Sequence, residues 1–166
     1  RRFGENKVQE IVSKYETLSK DIEWHMIGHL QSNKVKHIAS FIGLIHSVDS
    51  LNLLEEINKQ GIRVSRIIPC LLQVHIAQEE SKFGFSKDDL HQLLFSKGVE
   101  SLANIRITGL MGIATLTGDV DRIRKEFSGL KLLFEKIKSM ALPPNVEMKE
   151  LSMGMTSDYK IAVEEG

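Results

Sequence analysis

The chain has 166 residues, 42% hydrophobic and 27% charged, a composition typical of one globular domain with its own core. Its 22 basic side chains balance its 22 acidic ones, so we expect no strongly basic surface for nucleic acid or anionic membranes. No apolar run approaches the ~18–20 residues of a membrane-spanning helix. The single cysteine, Cys70, excludes an internal disulfide, so we expect a reducing, cytoplasmic setting in which Cys70 is a small buried hydrophobic residue.

The first part of the chain alternates amphipathic segments with short apolar runs. Ser50 stands at an N-cap position, and Gly61 follows the last apolar residue of the same segment as a stop signal. The spacing of apolar residues predicts the following elements, in chain order: a strand tail at 2–3, a helix at 5–20, a strand at 22–28, a helix at 31–41, a strand at 44–48 and a helix from 51 to about 61.

The second part continues the alternation. The apolar run at 67–76 predicts a strand that is buried on both faces, and a polar loop at 77–85 follows it. Ser86 is the expected N-cap of the next helix. The remaining pattern predicts a helix from 87 to about 96, a strand at 105–111, a long helix at 119–140, a strand at 146–151 and a helix at 157–165.

Repeated strand–helix units with short links indicate a parallel sheet covered by helices. The pattern alone leaves two architectures open, the doubly wound open sheet and the (β/α)₈ barrel. Both place their chemistry at the carboxyl ends of the strands. That rule nominates Asn6, His25, Gly28, Asp49, His75, Met111 and the segment 152–156.

The turn at 152–158 has the strongest local signal for a ligand. A strand ends, Gly154 permits a tight turn, and a helix with hydroxyl groups at its start follows, an arrangement whose free N–H groups suit a phosphate. The alternative is that Thr156 or Ser157 simply caps that helix. The chain has neither a P-loop nor a Gly-x-Gly-x-x-Gly fingerprint, and its histidines lack the spacing of a zinc site.

His25 neighbours Trp24 in a predicted strand, so the two side chains point to opposite faces and one of them points into a barrel. We leave open whether His25 belongs to a site or is a histidine whose hydrogen bonds are satisfied inside the protein.

Six sequence blocks together resemble the pyridoxal 5′-phosphate homeostasis proteins, a family related to the N-terminal barrel domain of alanine racemases. The resemblance extends over essentially the whole chain. The blocks are Phe3-Gly4-Glu5-Asn6, Trp24-His25-x-Ile27-Gly28-His29-Leu30-Gln31, Val48-Asp49-Ser50, Glu79-Glu80-Ser81-Lys82-x-Gly84, Thr108-Gly109-Leu110-Met111 and Leu151-Ser152-Met153-Gly154-Met155.

The resemblance implies a (β/α)₈ TIM-type barrel that binds pyridoxal 5′-phosphate and carries or regulates the cofactor pool without established catalytic turnover. Residues 1–166 would then form one domain, a partial barrel from the end of strand two through the helix after strand seven. The first and last strands would lie outside it. The chain starts at Arg1 without an initiator Met, so we expect an internal piece of a longer protein. A racemase-like enzyme on the same barrel and a cofactor-free α/β interaction module remain the alternatives.

The resemblance also implies roles for individual residues. Ser152 and Thr156 would contact the phosphate. Gly166 is also assigned to cofactor binding, because the family has a phosphate-binding Ser or Thr directly after this position. Lys82 would be a secondary lysine near the site. The Schiff-base lysine is expected upstream of Arg1. The residues implied to line the pocket are Asn6, His25, Met111 and Met153.

Overall fold

The computed structural model describes residues 1–77 and 83–166. Its six strands are β1 (Arg2–Glu5), β2 (Glu23–Met26), β3 (Leu44–Val48), β4 (Ile68–Gln73), β5 (Ile105–Gly112) and β6 (Val146–Met153). Its α-helices are α1 (Val8–Thr17), α2 (Leu51–Arg63), α3 (Lys87–Leu94), α4 (Lys97–Glu100), α5 (Val120–Lys138) and α6 (Tyr159–Glu165). A 3₁₀ helix spans Ser32–His37.

The strands form one parallel sheet whose spatial order follows the chain, from β1 to β6. A doubly wound sheet reverses its strand order at a switch point, whereas a barrel adds each strand next to the previous one. The observed order has no reversal, so it rejects the doubly wound alternative and confirms the barrel architecture. The predicted strand tail at 2–3 is confirmed as part of β1.

The sheet has two different faces because strand side chains alternate. On the outer face, Trp24 and Ile45 join the main hydrophobic core under the helices. On the inner face, Leu44, Leu71 and Met111 form a smaller buried cluster. Strand β4 has buried side chains on both faces, as its continuous apolarity predicts. His25 therefore points inward, opposite the buried Trp24.

Helix boundaries follow local capping chemistry. The Ser50 side chain accepts a hydrogen bond from the Leu53 N–H, and Ser86 accepts one from Asp89 in the same way. Both predicted N-caps are confirmed. The helix expected to end near residue 96 ends at Leu94, and Ser96 caps the additional short helix α4, which the pattern did not predict.

The predicted α-helix at 31–41 is wrong, because the segment forms only the 3₁₀ helix. The Arg66 guanidinium explains where the local structure ends. It donates to the carbonyl groups of Ala39 at 2.7 Å and Ile42 at 2.9 Å, and so holds the chain in the turn that leads into β3. No helix within residues 1–77 and 83–166 has the length and apolarity to cross a membrane.

Buried Cys70 lies in the outer core, as expected. Burial raises the pKa of its thiol to about 12, so the thiol stays protonated and unreactive at neutral pH.

Strands β5 and β6 pack closely at Gly109. A Cβ atom at this position would lie 1.7 Å from the carbonyl oxygen of Glu150, which is far inside van der Waals contact. In contrast, a Cβ atom added at Gly129 on α5 would have no neighbouring atom within 4 Å, so a methyl group there meets open space.

We expect Gly109→Ala to destabilise the protein by about 2 kcal/mol or more, because β5 and β6 must separate to accept the methyl group. The matched variant Gly129→Ala gains helix propensity and is expected to stabilise by up to about 1 kcal/mol. Urea denaturation of both variants measures the difference. A Gly109→Ala variant as stable as Gly129→Ala would contradict the close packing of these strands.

Candidate ligand-binding site

A cavity of about 300 Å³ opens at the carboxyl ends of the strands. Each of the six described strands contributes to its wall, either from the strand itself or from the link that follows. In strand order, these contributions include Asn6, Gly28, His46, Gln73, Met111 and Ser152. Sequential parallel pairing brings these six positions together, as the barrel architecture requires.

The cavity wall is mainly apolar on the sides. Ile27, Phe83, Met111, Ile113 and Met153 contribute to it. Apolar walls interspersed with a few polar groups, such as Asn6, Gln73 and Ser152, suit a flat ring that carries a charged substituent.

A polar chain crosses the inner face of the sheet directly beneath the cavity. His25 Nε2 lies 3.3 Å from Glu23 Oε1, and His25 Nδ1 lies 2.9 Å from His46 Nε2. The other ring nitrogen of His46, Nδ1, lies 2.8 Å from Ser152 Oγ. These hydrogen-bonded side chains therefore connect β2 through β3 to β6, and the last of them, Ser152, faces the cavity.

Burial and hydrogen bonding determine the charges of His46 and Glu23 in this row of side chains. Desolvation, with a smaller contribution from the charge of His25, lowers the pKa of His46 to about 4. At neutral pH, His46 is therefore an uncharged imidazole with one N–H. Hydrogen bonding from His25, followed by the contribution of Arg2, lowers the pKa of Glu23, so its carboxylate stays ionised and accepts hydrogen bonds.

The turn after β6 borders the same cavity. Gly154 has φ +86°, a conformation that favours glycine, and a Cβ atom there would lie 2.6 Å from the Cβ of Ala162. The buried Asp158 side chain accepts the Met155 N–H at 2.5 Å and orders the turn. Among the described residues, the backbone N–H groups of Gly154 and Thr156 have no protein acceptor.

The capping alternative for this turn is not realised. Asp158 occupies the N-cap position of α6, and neither Thr156 nor Ser157 supplies a cap hydrogen bond. The hydroxyl groups at these two positions are therefore not used to start the helix.

His29 and Phe83 form the rim of the cavity. Their rings stack with centroids 4.1 Å apart, and His29 Nδ1 lies 3.1 Å from Asp49 Oδ2. The Asp49 carboxylate thus orients an imidazole that packs on the aromatic wall.

The structure brings together four of the residues assigned by resemblance, since Asn6, Met111, Ser152 and Met153 all line the cavity. His25 lies one hydrogen bond beneath the lining, behind His46.

Two assigned residues stand apart from this group, and a third falls outside the described residues. Thr156 is exposed outside the lining, and Gly166 packs near the Lys131 side chain instead. Lys82 lies outside the described residues, as does most of the loop predicted at 77–85.

Sequence reasoning missed His46, Gln73 and Asp158 as site residues. His46 had a signal, because it is a polar residue inside an otherwise apolar strand, next to the strand that carries His25. Gln73 had the same kind of signal at the end of β4, where its side-chain amide donates to the Phe83 carbonyl at 3.3 Å. Asp158 lay inside the quoted turn, but its contact with Met155 needs three-dimensional geometry.

Comparison with known proteins defines the class of protein first. The family model described as the alanine racemase N-terminal domain matches residues 1–162. This match agrees with the barrel topology and with a site at the carboxyl ends of the strands. Within residues 1–77 and 83–166, no three His, Cys, Asp or Glu side chains gather as a metal site.

The nearer relatives define the family. A pyridoxal phosphate homeostasis protein of Aquifex aeolicus is 39% identical over 165 residues, covering 99% of this chain and 70% of the relative. One from Helicobacter pylori is 38% identical, covering 98% and 70%. The chain belongs to the pyridoxal phosphate homeostasis protein family.

A solved structure supports the same relationship. PipY of Synechococcus elongatus is 34% identical and covers all of this chain in two forms. The form without pyridoxal phosphate has a TM-score of 0.89, with 77% of that chain covered. The form with pyridoxal phosphate bound has a TM-score of 0.85, with 76% covered. This chain is thus partial relative to its solved relatives.

We expect stability to depend on pH through His46. Folding lowers the pKa of this histidine from 6.5 to about 4, so the unfolded chain binds more protons between these values. The contribution of neutral His46 to the free energy of unfolding is fully present above about pH 6.5. It is lost as the pH falls to about 4, which lowers the free energy of unfolding by about 1–3 kcal/mol after solvent screening. Urea denaturation of the protein at several pH values measures it.

The matched variants are His46→Phe, which removes the buried imidazole, and His91→Gln, which removes an exposed histidine on α3. His46→Phe should flatten the pH dependence in this interval, and His91→Gln should retain it. Equal slopes in both variants would contradict the assignment to His46.

Proposed function

We propose that this protein binds pyridoxal 5′-phosphate in the cavity at the strand ends, and that it carries or regulates the cofactor pool without catalytic turnover. The observation that carries the proposal is the cavity itself, to which all six strands contribute and which combines apolar walls with a polar turn. The names of the relatives and the pyridoxal phosphate bound to PipY support the same function.

The residues present fit this cofactor. A cavity of about 300 Å³ has room for a pyridine ring and its phosphate, and Met111 and Met153 offer polarizable side chains for contact with the ring. At the turn after β6, the Ser152 hydroxyl and the Gly154 N–H, which has no acceptor among the described residues, offer hydrogen bonds to phosphate oxygens. When bound, pyridoxal phosphate supplies an aldehyde that condenses with an amine.

The described residues leave the source of that amine open to experiment. The lining of the cavity contains no lysine within residues 1–77 and 83–166. We place the reactive lysine on a strand upstream of Arg1, where the family carries it, and we assign the role to neither Lys34 nor Lys82. Residues 1–166 then act as one domain that supplies most of the pocket wall.

The setting that we propose is the cytoplasm, with a small molecule as the ligand and no role in nucleic-acid binding. The buried, protonated Cys70 is compatible with a reducing compartment. The balance of 22 basic and 22 acidic residues gives no net attraction for a polyanion.

The direct test uses the protein expressed with the flanking segments that its relatives carry. Incubation with pyridoxal phosphate should produce an absorption band near the visible edge, and borohydride should then fix one cofactor per chain onto a lysine. Peptide mass spectrometry identifies that lysine. Protein that gains neither the band nor the mass would overturn the proposed function.

We expect Ser152→Ala to weaken cofactor retention by about 1–3 kcal/mol, the scale of a hydrogen bond to a charged group. Ser139→Ala is the matched control, because Ser139 is an exposed serine at the end of α5 whose hydroxyl donates to the nearby Lys136 carbonyl. Equilibrium dialysis with pyridoxal phosphate compares the two. Retention that is equal in both variants would remove Ser152 from the site.

A further inference from the structure

We propose that His46 is a positioning residue for Ser152, and that the chain from Glu23 through His25 and His46 couples anion binding in the cavity to the uptake of one proton. The inference rests on the proposed function only for the identity of the anion, a phosphate group. The coupling itself follows from the direction of the hydrogen bonds beneath the cavity.

The hydrogen bonds from Glu23 to Ser152 have a defined direction when both histidines are neutral. The Glu23 carboxylate only accepts, so His25 donates its single proton from Nε2 and leaves Nδ1 as an acceptor. His46 must then donate from Nε2 to His25, which leaves His46 Nδ1 as an acceptor. Ser152 therefore donates its hydroxyl proton to His46 and turns only lone pairs toward the cavity. In this state, Ser152 is a poor partner for an anion.

One added proton reverses every bond above Glu23. With both His25 nitrogens protonated, Nδ1–H donates to His46 Nε2, and His46 donates from Nδ1 to Ser152. The Ser152 hydroxyl proton is then released to point into the cavity, where it can donate to an anion. The balance is one proton taken from water, and no bond between heavy atoms forms or breaks. His46 changes tautomer and stays neutral.

The geometry places the added charge on His25, because its Nε2 lies 3.3 Å from a Glu23 carboxylate oxygen, whereas His46 contacts no carboxylate among the described residues. Buried His46 has its pKa lowered to about 4, whereas His25 contacts the ionised Glu23. The other charged side chains on the inner face lie on three strands. They are Arg2 on β1, Arg106 on β5, and Glu147, Lys149 and Glu150 on β6, where the register shift brings both Lys149 and Glu150 to this face and Lys149 pairs with Glu147 at 2.7 Å. Arg2 is paired with Glu23 at 3.2 Å.

The structure gives His46 a role that a packing residue would not have. A phenylalanine at position 46 would fill similar space, but it would free the Ser152 hydroxyl from its partner at every pH. A glutamine at position 25 would keep a polar group next to His46 but could not hold a second proton as an imidazole does. These two variants therefore distinguish an effect of side-chain shape on anion binding from an effect of proton uptake.

The experiment uses sulfate, an anion shaped like phosphate that keeps both charges across the range studied, so the probe itself takes up no proton. Amide chemical shifts at 152–156 report its binding to the protein expressed with its flanking segments. We expect the affinity for sulfate to be about tenfold higher at about pH 5.5 than at about pH 8. This factor is the scale of one charge-assisted hydrogen bond, and imidazole groups in general take up protons in this interval. His91→Gln, the matched control, should behave like the unchanged protein.

His46→Phe and His25→Gln should abolish most of this pH dependence. Imidazole ¹⁵N shifts of the unchanged protein provide a second measurement that needs no variant. They should show the Nε2–H tautomer of His46 at about pH 8 and the Nδ1–H tautomer when sulfate is bound at about pH 5.5.

Sulfate affinity with the same pH dependence in His46→Phe, or a His46 tautomer that does not change, would overturn the coupling. Retention of pyridoxal phosphate at neutral pH separates this failure from the failure of the proposed function. Retained cofactor with a pH-independent sulfate affinity rejects only the coupling. Cofactor that does not bind under any condition rejects the proposed function.

Discussion

Sequential parallel pairing is the constraint on which the rest of the structure depends. Because each strand pairs with the one before it, all six carboxyl ends lie at one edge of the sheet, and all inward side chains face a common interior. The outer face is then free to bury Trp24, Ile45 and Cys70 under the helices. The inner face holds a smaller apolar cluster and the polar chain. The difference between the apolar outer face and the partly polar inner face thus follows from the order in which the strands pair.

The interior differs from a purely apolar barrel core where His25 and His46 meet. A buried imidazole pair costs desolvation free energy unless its nitrogen atoms find partners. Here each nitrogen of His46 has one, His25 on one side and Ser152 on the other. The chain ends at the ionised Glu23, which sets the direction of the hydrogen bonds. The same contacts that satisfy the buried histidine also determine what Ser152 presents to the cavity.

Local chemistry explains which parts of the fold the sequence predicts well. The caps at Ser50 and Ser86 depend on residues three positions away, so their pattern is visible in the chain itself. The turn that follows the 3₁₀ helix is held by Arg66, which donates to carbonyl groups more than twenty positions earlier in the chain, and periodicity contains no such information. Strand alternation correctly separated Trp24 from His25, but the partner of His25 depends on the register between neighbouring strands. The candidate site shows the same limit. The strand-end rule and the resemblance indicated cavity residues such as Ser152, but not His46, because its contact with Ser152 joins residues 106 positions apart in the chain.

The central claim is that the phosphate of the cofactor lies at the turn after β6. The most direct measurement is a crystal structure of the protein, expressed with the flanking segments of its relatives, in complex with pyridoxal 5′-phosphate. We predict the ring between Met111 and Met153, and phosphate oxygens within hydrogen-bonding distance of Ser152 Oγ and the Gly154 N–H. A cofactor bound elsewhere on the protein, with the turn at 152–156 free of phosphate, would contradict this claim.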